Sequence, residues 1–353
     1  MKVLITGVGG PTPRSIAIAL KKISKKYPKL ELIATDNNPF SIGLYQRDLF
    51  SKSYLVPHCG NSTYWEKIEE IVSREQIALA IIQPELEVVE WCKKAELGKL
   101  PCPSYLPALG MAELLINKGL LTAALKPLGR VPESITFSRS TLNQQQLEEV
   151  LGTSYWVRST KGTSGLGSLH IKDAGTLVKW LEMNAGVEEF IASTFLPGRN
   201  LATKMLYWNG ELLRSATGER VNYIMSKIAP SGITGNTSFG RLLNEPELIE
   251  MAKEVMDHLF MLTGSKPHGF FTIDWKEDGH GNPFVTEINV RHVAFTQCFA
   301  AAGANFAELS LDLMLEGKPE TMQYAMYEFE ANQVFLRDVD CLPILMKEHE
   351  LMR

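Results

Sequence analysis

Short apolar runs alternate with helix-like stretches in the N-terminal part of the chain, and this alternation constrains the fold more than any other feature. The apolar runs lie at residues 3–6, 30–34 and 77–82, and a glycine-rich turn at residues 7–10 follows the first of them. Strands that alternate with helices form a parallel sheet covered on both faces. The sequence therefore predicts an α/β fold whose N-terminal domain, residues 1–108, holds a Rossmann-like parallel sheet.

The remainder of the chain is patterned mainly for strands, with two longer helical stretches. One helix is predicted at residues 111–126, and a second at residues 246–262 precedes two strands at 269–275 and 284–289. The dipeptide Asn209-Gly210 separates two further strand-like runs, which is a strong signal of a β-hairpin. A length of 353 residues favours two or three domains.

Composition excludes several classes of protein. Hydrophobic residues make up 45% of the chain and charged residues 22%, which is typical of a soluble globular protein. The net charge of -4 gives no broad basic surface, so nucleic acid is not expected as a partner. The five cysteines lack the spacings of zinc sites and disulfide frameworks, which indicates reduced thiols. With no signal peptide and no membrane-length apolar run, the sequence predicts a cytoplasmic protein without a membrane partner.

The glycine turn at residues 7–10 allows two interpretations. Its backbone N–H groups could hold a phosphate at a helix N-terminus, with Asp36 contacting a ribose, as in dinucleotide-binding oxidoreductases. However, Pro11 and Pro13 stand where the dinucleotide fingerprint would continue. We therefore favour a purely structural tight turn.

A second glycine-rich stretch, residues 158–168, lies between two predicted strands. Its three glycines and five hydroxyl residues leave little side chain to pack, and its backbone amides and two cations suit anionic phosphates. Both a flexible loop that covers phosphates and an ordinary solvated hairpin loop fit this pattern.

Three oxygen-donor side chains lie on the last two strands. Alternation places Glu287 and Asn289 on one face, and Asp274 lies beside them if the two strands pair. Carboxylate and amide oxygens on the face of an apolar sheet lower the stability of the fold unless a cation binds them. Magnesium together with nucleotide phosphates is the usual ligand of such a set. A solvent-exposed polar face of the hairpin is the alternative.

From residue 1 to about residue 315 the sequence resembles the ATP-grasp superfamily, in particular the large chain of carbamoyl-phosphate synthases. Asn117-Lys118 is similar to the Asp-Lys or Asp-Arg motif of that family, and Arg158 stands at the strand end that precedes its phosphate-covering loop. Residues 193–200 resemble the interdomain hinge, and Asp274 with the Glu287-Ile288-Asn289 segment matches the magnesium-binding set. The resemblance implies a two-lobed ATP-grasp domain after the Rossmann-like domain, with a small lobe at 109–195 and a large lobe at 196–353.

The resemblance also implies roles for individual residues. ATP would lie between the lobes, with Mg2+, or Mn2+, on Asp274, Glu287 and Asn289. Arg291 would stabilise an oxyanion and hold the substrate carboxylate, and Arg220 and Lys227 are further substrate candidates. The residues implied in ATP binding are Lys118, Arg158, Lys161, Thr163, Ser164, Gly165, Thr194, Phe195, Leu196 and Asn200. Thr194 and Asn200 replace hinge acids, and Lys204 stands where an acidic residue is frequent.

The implied activity is that of an ADP-forming ligase that activates a carboxylate as an acyl phosphate for attack by an amine. Its partners would be a small-molecule carboxylate and a small-molecule amine, and a homodimer is compatible with the family. Carboxyphosphate or carbamate chemistry is an alternative activity. A non-catalytic ATP-binding regulatory protein and a dinucleotide-dependent oxidoreductase are alternatives of other kinds. Residues 323–353 resemble nothing that we could assign.

Overall fold

A four-stranded parallel sheet begins the computed structural model, which describes residues 1–162, 165, 167–338 and 344–347. Its strands follow the order β3-β2-β1-β4. This arrangement confirms the predicted α/β fold with a parallel N-terminal sheet. The elements of this part are β1 (Lys2–Thr6), α1 (Pro11–Ile18, continued by a π-helical turn at Ala19–Ile23), β2 (Glu31–Asp36), β3 (Lys52–Leu55), α2 (Tyr64–Glu75), β4 (Leu79–Ile81) and α3 (Glu85–Glu96).

Two short helices connect this sheet to the rest of the molecule: α4 (Leu109–Leu115) and α5 (Lys118–Leu125). The prediction of one continuous helix at 111–126 was wrong. Asn117 has an extended backbone, and its side chain accepts hydrogen bonds from the backbone N–H groups of Gly119 and Leu120. Such an N-cap starts a new helix, so Lys118 occupies the first position of α5.

A small antiparallel sheet follows, with the strand order β5-β8-β6-β7. It has its own hydrophobic core, which includes Phe137, Tyr155, Val157 and Phe190. The elements are β5 (Ser134–Ser138), α6 (Gln144–Leu151), β6 (Tyr155–Ser159), β7 (Leu169–Ile171), α7 (Ala174–Met183) and β8 (Glu189–Thr194).

A large sheet with the order β13-β12-β9-β10-β11-β15-β16 completes the fold, and β14 pairs with β10. The predicted hairpin at Asn209-Gly210 joins β9 to β10, and part of the previously unassigned 323–353 segment joins this sheet. The elements are β9 (Asn200–Trp208), β10 (Glu211–Tyr223), β11 (Thr237–Leu243), α8 (Pro246–Thr263), β12 (Gly269–Glu277), β13 (Pro283–Asn289), α9 (Thr296–Ala301), α10 (Phe306–Glu316), β14 (Ala325–Met326), β15 (Gln333–Leu336) and β16 (Ile344–Lys347).

The hydrophobic cores connect two of the three sheets. One cluster of buried residues runs from Leu4 in β1 through Val255 in α8 to Phe271 in β12. We propose domain boundaries at residues 108 and 195, which fall between the sheets. Within the described part of the chain, no helix has both the length and the apolarity needed to cross a membrane.

Candidate active site

A cavity of about 1120 Å³ lies where the three sheets meet. Most of the residues predicted for the site line it. Lys227 is exposed in the turn after β10 and is not among the lining residues, and Thr163 and Ser164 lie outside the described residues. The predicted residues that line the cavity are Lys118, Arg158, Lys161, Gly165, Thr194, Phe195, Leu196, Asn200, Arg220, Asp274, Glu287, Asn289 and Arg291.

Strands β12 and β13 place the three oxygen-donor side chains together. They pair antiparallel, with Asp274 directly opposite Glu287. Asn289 Nδ2 donates a hydrogen bond to Asp274 Oδ2 at 3.3 Å. Arg220 Nη1, on β10, lies 3.1 Å from Asp274 Oδ1, although this contact lacks the geometry of a hydrogen bond. The strand register thus places two carboxylates and one amide at a single point of the cavity.

The two carboxylates have opposite pKa shifts. Burial raises the pKa of Asp274, and the charge of Glu287 raises it further, while Arg220 opposes both effects. Burial also opposes the ionisation of Glu287, but Lys118, Arg158 and Arg291 together hold its pKa below the usual value. Two adjacent, partly buried carboxylates repel each other when both are ionised. Additional positive charge at this point would therefore stabilise the doubly ionised form.

The donor set fits a divalent cation only if other ligands complete the coordination. Magnesium prefers oxygen ligands in octahedral geometry and is usually held by one or two carboxylates together with substrate phosphates. Among the described residues, no group of three or more His, Cys, Asp or Glu side chains could hold a metal ion. Asp274, Glu287 and Asn289 therefore suit a magnesium ion that is also bound to phosphate oxygens.

Cations surround the carboxylates on the side of the small sheet. Lys118 Nζ lies 3.6 Å from Glu287 Oε1 and donates a hydrogen bond to the Gly162 carbonyl at 2.6 Å. Arg158, at the end of β6, donates from Nη2 to the Thr286 carbonyl at 2.6 Å. The N-cap of α5 and the end of β6 thus bring two cations to one wall of the cavity.

The glycine-rich loop meets a second loop across the cavity. Gly165 has φ +73°, and a Cβ atom there would lie 2.4 Å from the Ile233 carbonyl oxygen. Gly162, Gly165 and Ser168 line the cavity on one side, and residues 231–233 line it on the other. This close approach requires glycine at position 165. The described residues of the loop therefore line the cavity next to residues 231–233.

The predicted hinge packs tightly between the small and large sheets. Phe195 stacks on His170 with ring centroids 3.7 Å apart, and Leu196 is buried. Lys276 Nζ donates a hydrogen bond to the Gly198 carbonyl at 2.6 Å. Arg199 forms an ion pair with Glu277 at 2.6 Å. These contacts fix the hinge backbone beside the cavity.

The N-terminal sheet supplies a wall of the cavity that the sequence interpretation missed. Gly7, Gly10 and residues 83–87 line this wall. Glu85, in the first turn of α3, forms an ion pair with Arg291 Nη2 at 2.9 Å. The positions of these residues in the fold could have indicated the wall. They follow β1 and β4, and ligands bind outside the carboxyl ends of parallel strands.

The structural interpretation of the glycine turn itself is supported by its contacts. Asp36 accepts hydrogen bonds from the backbone N–H groups of Gly9 at 2.7 Å and Asn38 at 2.9 Å, and from Ser41 Oγ at 2.8 Å. The carboxylate is therefore engaged by its own chain. A Cβ atom at Gly9 would lie 2.3 Å from Ser41 Oγ, so packing alone accounts for glycine there.

Lys204 is a buried cation below the carboxylates. It is fully buried on β9, and its Nζ atom lies 4.6 Å from the ring centre of Phe295 and 5.0 Å from that of Phe299. Burial lowers the pKa of Lys204 to about 7, and the charge of Asp274 opposes this effect. Lys204 does not line the cavity, so its influence on the site is electrostatic.

Comparison with known proteins identifies the fold. No family model and no curated protein matches the sequence. N5-carboxyaminoimidazole synthetase of Staphylococcus aureus, solved with ADP, matches with a TM-score of 0.70 and 15% identity, over 95% of this chain and 81% of that one. L-amino acid ligase of Bacillus licheniformis matches with a TM-score of 0.65 and 16% identity, over 95% of this chain and 78% of that one.

A third solved structure also matches the fold of this chain. It is the biotin carboxylase domain of Hydrogenobacter thermophilus 2-oxoglutarate carboxylase, solved with MgADP and bicarbonate. It matches with a TM-score of 0.69 and 14% identity, over 95% of this chain and 74% of that one. At these identities the likeness is one of fold. The chain therefore shares the fold of these three proteins, in agreement with the superfamily that its sequence motifs resemble.

Proposed function

We propose that this protein is an ATP- and magnesium-dependent ligase that activates a small-molecule carboxylate for attack by an amine and forms ADP. The observation that carries the proposal is the pairing of Asp274 with Glu287 on β12 and β13, opposite Lys118 and Arg158. This arrangement combines a cation site with phosphate-binding cations in one cavity. The fold is shared with a synthetase solved with ADP, which supports the same nucleotide here.

The nucleotide would lie between the small and large sheets. Lys118 and Arg158 would bind the phosphates, together with the backbone of the loop that includes Lys161 and Gly165. Magnesium, when bound to Asp274, Glu287 and Asn289, would neutralise phosphate charge. The loop contact between Gly165 and Ile233 would exclude water during transfer.

The hinge would bind the adenine ring. Phe195 and Leu196 supply apolar surface, and the backbone beside them supplies donors and acceptors. Thr194 and Asn200, which line the same region, replace carboxylates with neutral side chains. We propose that they bind the nucleotide through neutral hydrogen bonds.

The acyl centre would lie beside Arg291. Its guanidinium lines the cavity and is oriented by Glu85, so it can bind the substrate carboxylate and stabilise the oxyanion that forms during attack by the amine. Arg220 is held by Asp274 and would help to position the transferred phosphoryl group. Lys227 is exposed and would act on substrate only if the turn that carries it moved.

Carboxyphosphate chemistry is a second candidate, favoured by the likeness to a biotin carboxylase domain solved with bicarbonate. In that case the small anion beside Arg291 would be bicarbonate.

The buried thiols of Cys59, Cys92, Cys102 and Cys298 are free, which fits the proposal of a reducing, cytoplasmic location. Small-molecule substrates fit a cavity of about 1120 Å³.

The proposal is tested by thermal melting with MgATP, with ATP in EDTA, and with NAD. A ligand that binds only the folded protein raises the free energy of unfolding, by ~2.7 kcal/mol at a hundredfold excess over its dissociation constant, and therefore raises the melting midpoint. We expect a magnesium-dependent shift with ATP and no shift with NAD. Glu287→Ala should lose the shift and all ATP turnover, whereas the exposed control Glu320→Ala should keep both. An undiminished MgATP shift in folded Glu287→Ala would exclude the proposed metal site.

A further inference from the structure

Lys276 places an ammonium group between the proposed metal site and the predicted hinge, residues 193–200. It lies on β12 two residues after Asp274, and both of these side chains are partly exposed while their neighbours on the strand are buried. Its Nζ atom donates a hydrogen bond to the Gly198 carbonyl at 2.6 Å. Its partner on the adjacent strand β9 is Asn200, and both residues line the cavity. Lys276 therefore reaches the cavity where β12 meets the hinge.

The position of Lys276 along β12 matches the nucleoside end of a bound nucleotide. A strand rises about 3.3 Å per residue, so the Cα atoms of Lys276 and Asp274 lie about 7 Å apart. Magnesium at Asp274 would also bind phosphate oxygens, whereas the hinge is proposed to bind the base. The metal-bound phosphates would therefore lie near Asp274, and the nucleoside would lie beside Lys276.

The ammonium group of Lys276 has no carboxylate partner within the described part of the chain. Its two acidic neighbours already pair with arginines, Glu277 with Arg199 at 2.6 Å and Glu219 with Arg241 at 2.9 Å. A lysine ammonium has three N–H donors, and the carbonyl of the hinge accepts one of them. A partly buried cation without a counter-ion is unfavourable unless its other donors meet acceptors. This part of the cavity therefore suits a ligand that is rich in lone pairs.

We propose that Lys276 binds the nucleotide directly, by donating hydrogen bonds from its ammonium group to the nucleoside. The acceptor would be a ring nitrogen of the purine or a hydroxyl oxygen of the ribose, since both carry lone pairs. Thr194 and Asn200, which line the same region, are uncharged and so leave the ammonium without a counter-ion. The inference rests on the proposed ligase function, because it concerns the nucleotide of that reaction.

Calorimetric titration of the wild type and of Lys276→Met tests this contact. The ligands are MgATP, ATP analogues that each lack one purine ring nitrogen or one ribose hydroxyl group, and magnesium tripolyphosphate. Loss of a hydrogen bond from a charged donor should weaken MgATP binding on the order of tenfold. The analogue without the acceptor should bind the wild type more weakly than ATP does by a similar factor, whereas Lys276→Met should not distinguish it from ATP. Tripolyphosphate, which has no nucleoside, should bind both proteins equally.

Two further variants serve as controls. Lys266→Met changes an exposed lysine that is not among the residues lining the cavity, and it should bind every ligand as the wild type does. Lys276→Gln removes the charge but keeps a polar side chain, so it repeats the comparison if Lys276→Met does not fold. The melting midpoint without ligand reports folding in each case.

The possible results separate a direct contact from a structural role. If Lys276 only anchors the hinge, its loss should weaken ATP and every analogue by the same factor, and the contact is refuted. An equal loss for tripolyphosphate would mean that Lys276 acts on the phosphates, and unchanged MgATP binding would mean that it has no role in binding; both results refute the inference. Absence of MgATP binding by the wild type would instead refute the proposed function itself.

Discussion

Arg220 and Asp274 form an ion pair with little solvent access, since their side chains are 10% and 14% exposed. Removing one partner of a buried pair leaves an uncompensated charge and costs about 3–5 kcal/mol. We expect Arg220→Met to lower the free energy of unfolding in magnesium-free buffer by about 3 kcal/mol. The loss should be smaller when Asp274→Asn is added, because the orphan carboxylate is then removed. Urea unfolding of the wild type, of the Arg220→Met and Asp274→Asn single variants and of the double variant measures both effects. Equal losses in Arg220→Met and in the double variant would contradict the coupling.

The buried amino group of Lys204 makes stability depend on pH. Its folded-state pKa is lowered to about 7 from 10.5, so between these values the unfolded chain binds a proton that the folded protein lacks. The free energy of unfolding therefore rises with pH in this window. Relative to Lys204→Met, the stability of the wild type should rise by ~1.4 kcal/mol per pH unit above about pH 7.

Urea unfolding from pH 7 to 9 measures this difference. The exposed lysine variant Lys179→Met serves as the control, since its difference from the wild type should not change with pH. If the difference in stability between the wild type and Lys204→Met also stays constant with pH, Lys204 keeps its proton in the folded protein.

The sequence predicted which residues cluster at the proposed phosphate and metal site better than it predicted the N-terminal wall of the cavity. Asp274 and Glu287 are close in sequence, so strand alternation and one hairpin were enough to place them together. Glu85 and Arg291 are far apart in sequence and meet only after three sheets have assembled. No local pattern in a single sequence carries that information.

The proposed hinge, residues 193–200, approaches the turn between β12 and β13 so closely that only glycine fits at position 198. A Cβ atom there would lie 2.6 Å from Glu277 Cβ and 2.7 Å from the Asp278 carbonyl oxygen. We expect Gly198→Ala to destabilise the protein by about 1–3 kcal/mol, as overpacking does, and to weaken MgATP binding because the hinge backbone moves. Gly279→Ala is the matched control, since its nearest atom beyond its chain neighbours is Pro197 Cγ at 3.9 Å. Equal melting midpoints for the two variants would contradict this prediction.

Elements were predictable where local chemistry decides them. The Asn209-Gly210 turn gave both strands of the β9–β10 hairpin, because the turn type and the flanking apolar runs agree. The break between α4 and α5 was missed because apolar periodicity continues across Asn117, whereas the cap that starts α5 depends on one side chain. Strand β15 was missed because its pairing with β11 is non-local.

The hydrophobic clusters divide the molecule into two parts. The N-terminal sheet and the large sheet share one continuous hydrophobic cluster, while the small sheet is built on a separate one. Regions with separate cores open with different free energies. We therefore expect the backbone amides of β5–β8 to exchange hydrogen for deuterium faster than those of β1, β9 and β12. MgATP should slow exchange mainly in the small sheet, because the cations on its wall of the cavity would contact the phosphates.

Phe190→Ala tests this division, because Phe190 is fully buried in the core of the small sheet and stacks near Phe137. Loss of a buried phenylalanine costs about 3–5 kcal/mol, so exchange within residues 134–194 should accelerate at least about a hundredfold. Residues 2–6 and 200–208 should keep their wild-type rates. Phe271→Ala, in the shared cluster, should instead accelerate exchange in the N-terminal and large sheets together. Mass spectrometry of exchanged peptides distinguishes the two patterns, and uniform acceleration by Phe190→Ala would show that the protein unfolds as one cooperative unit.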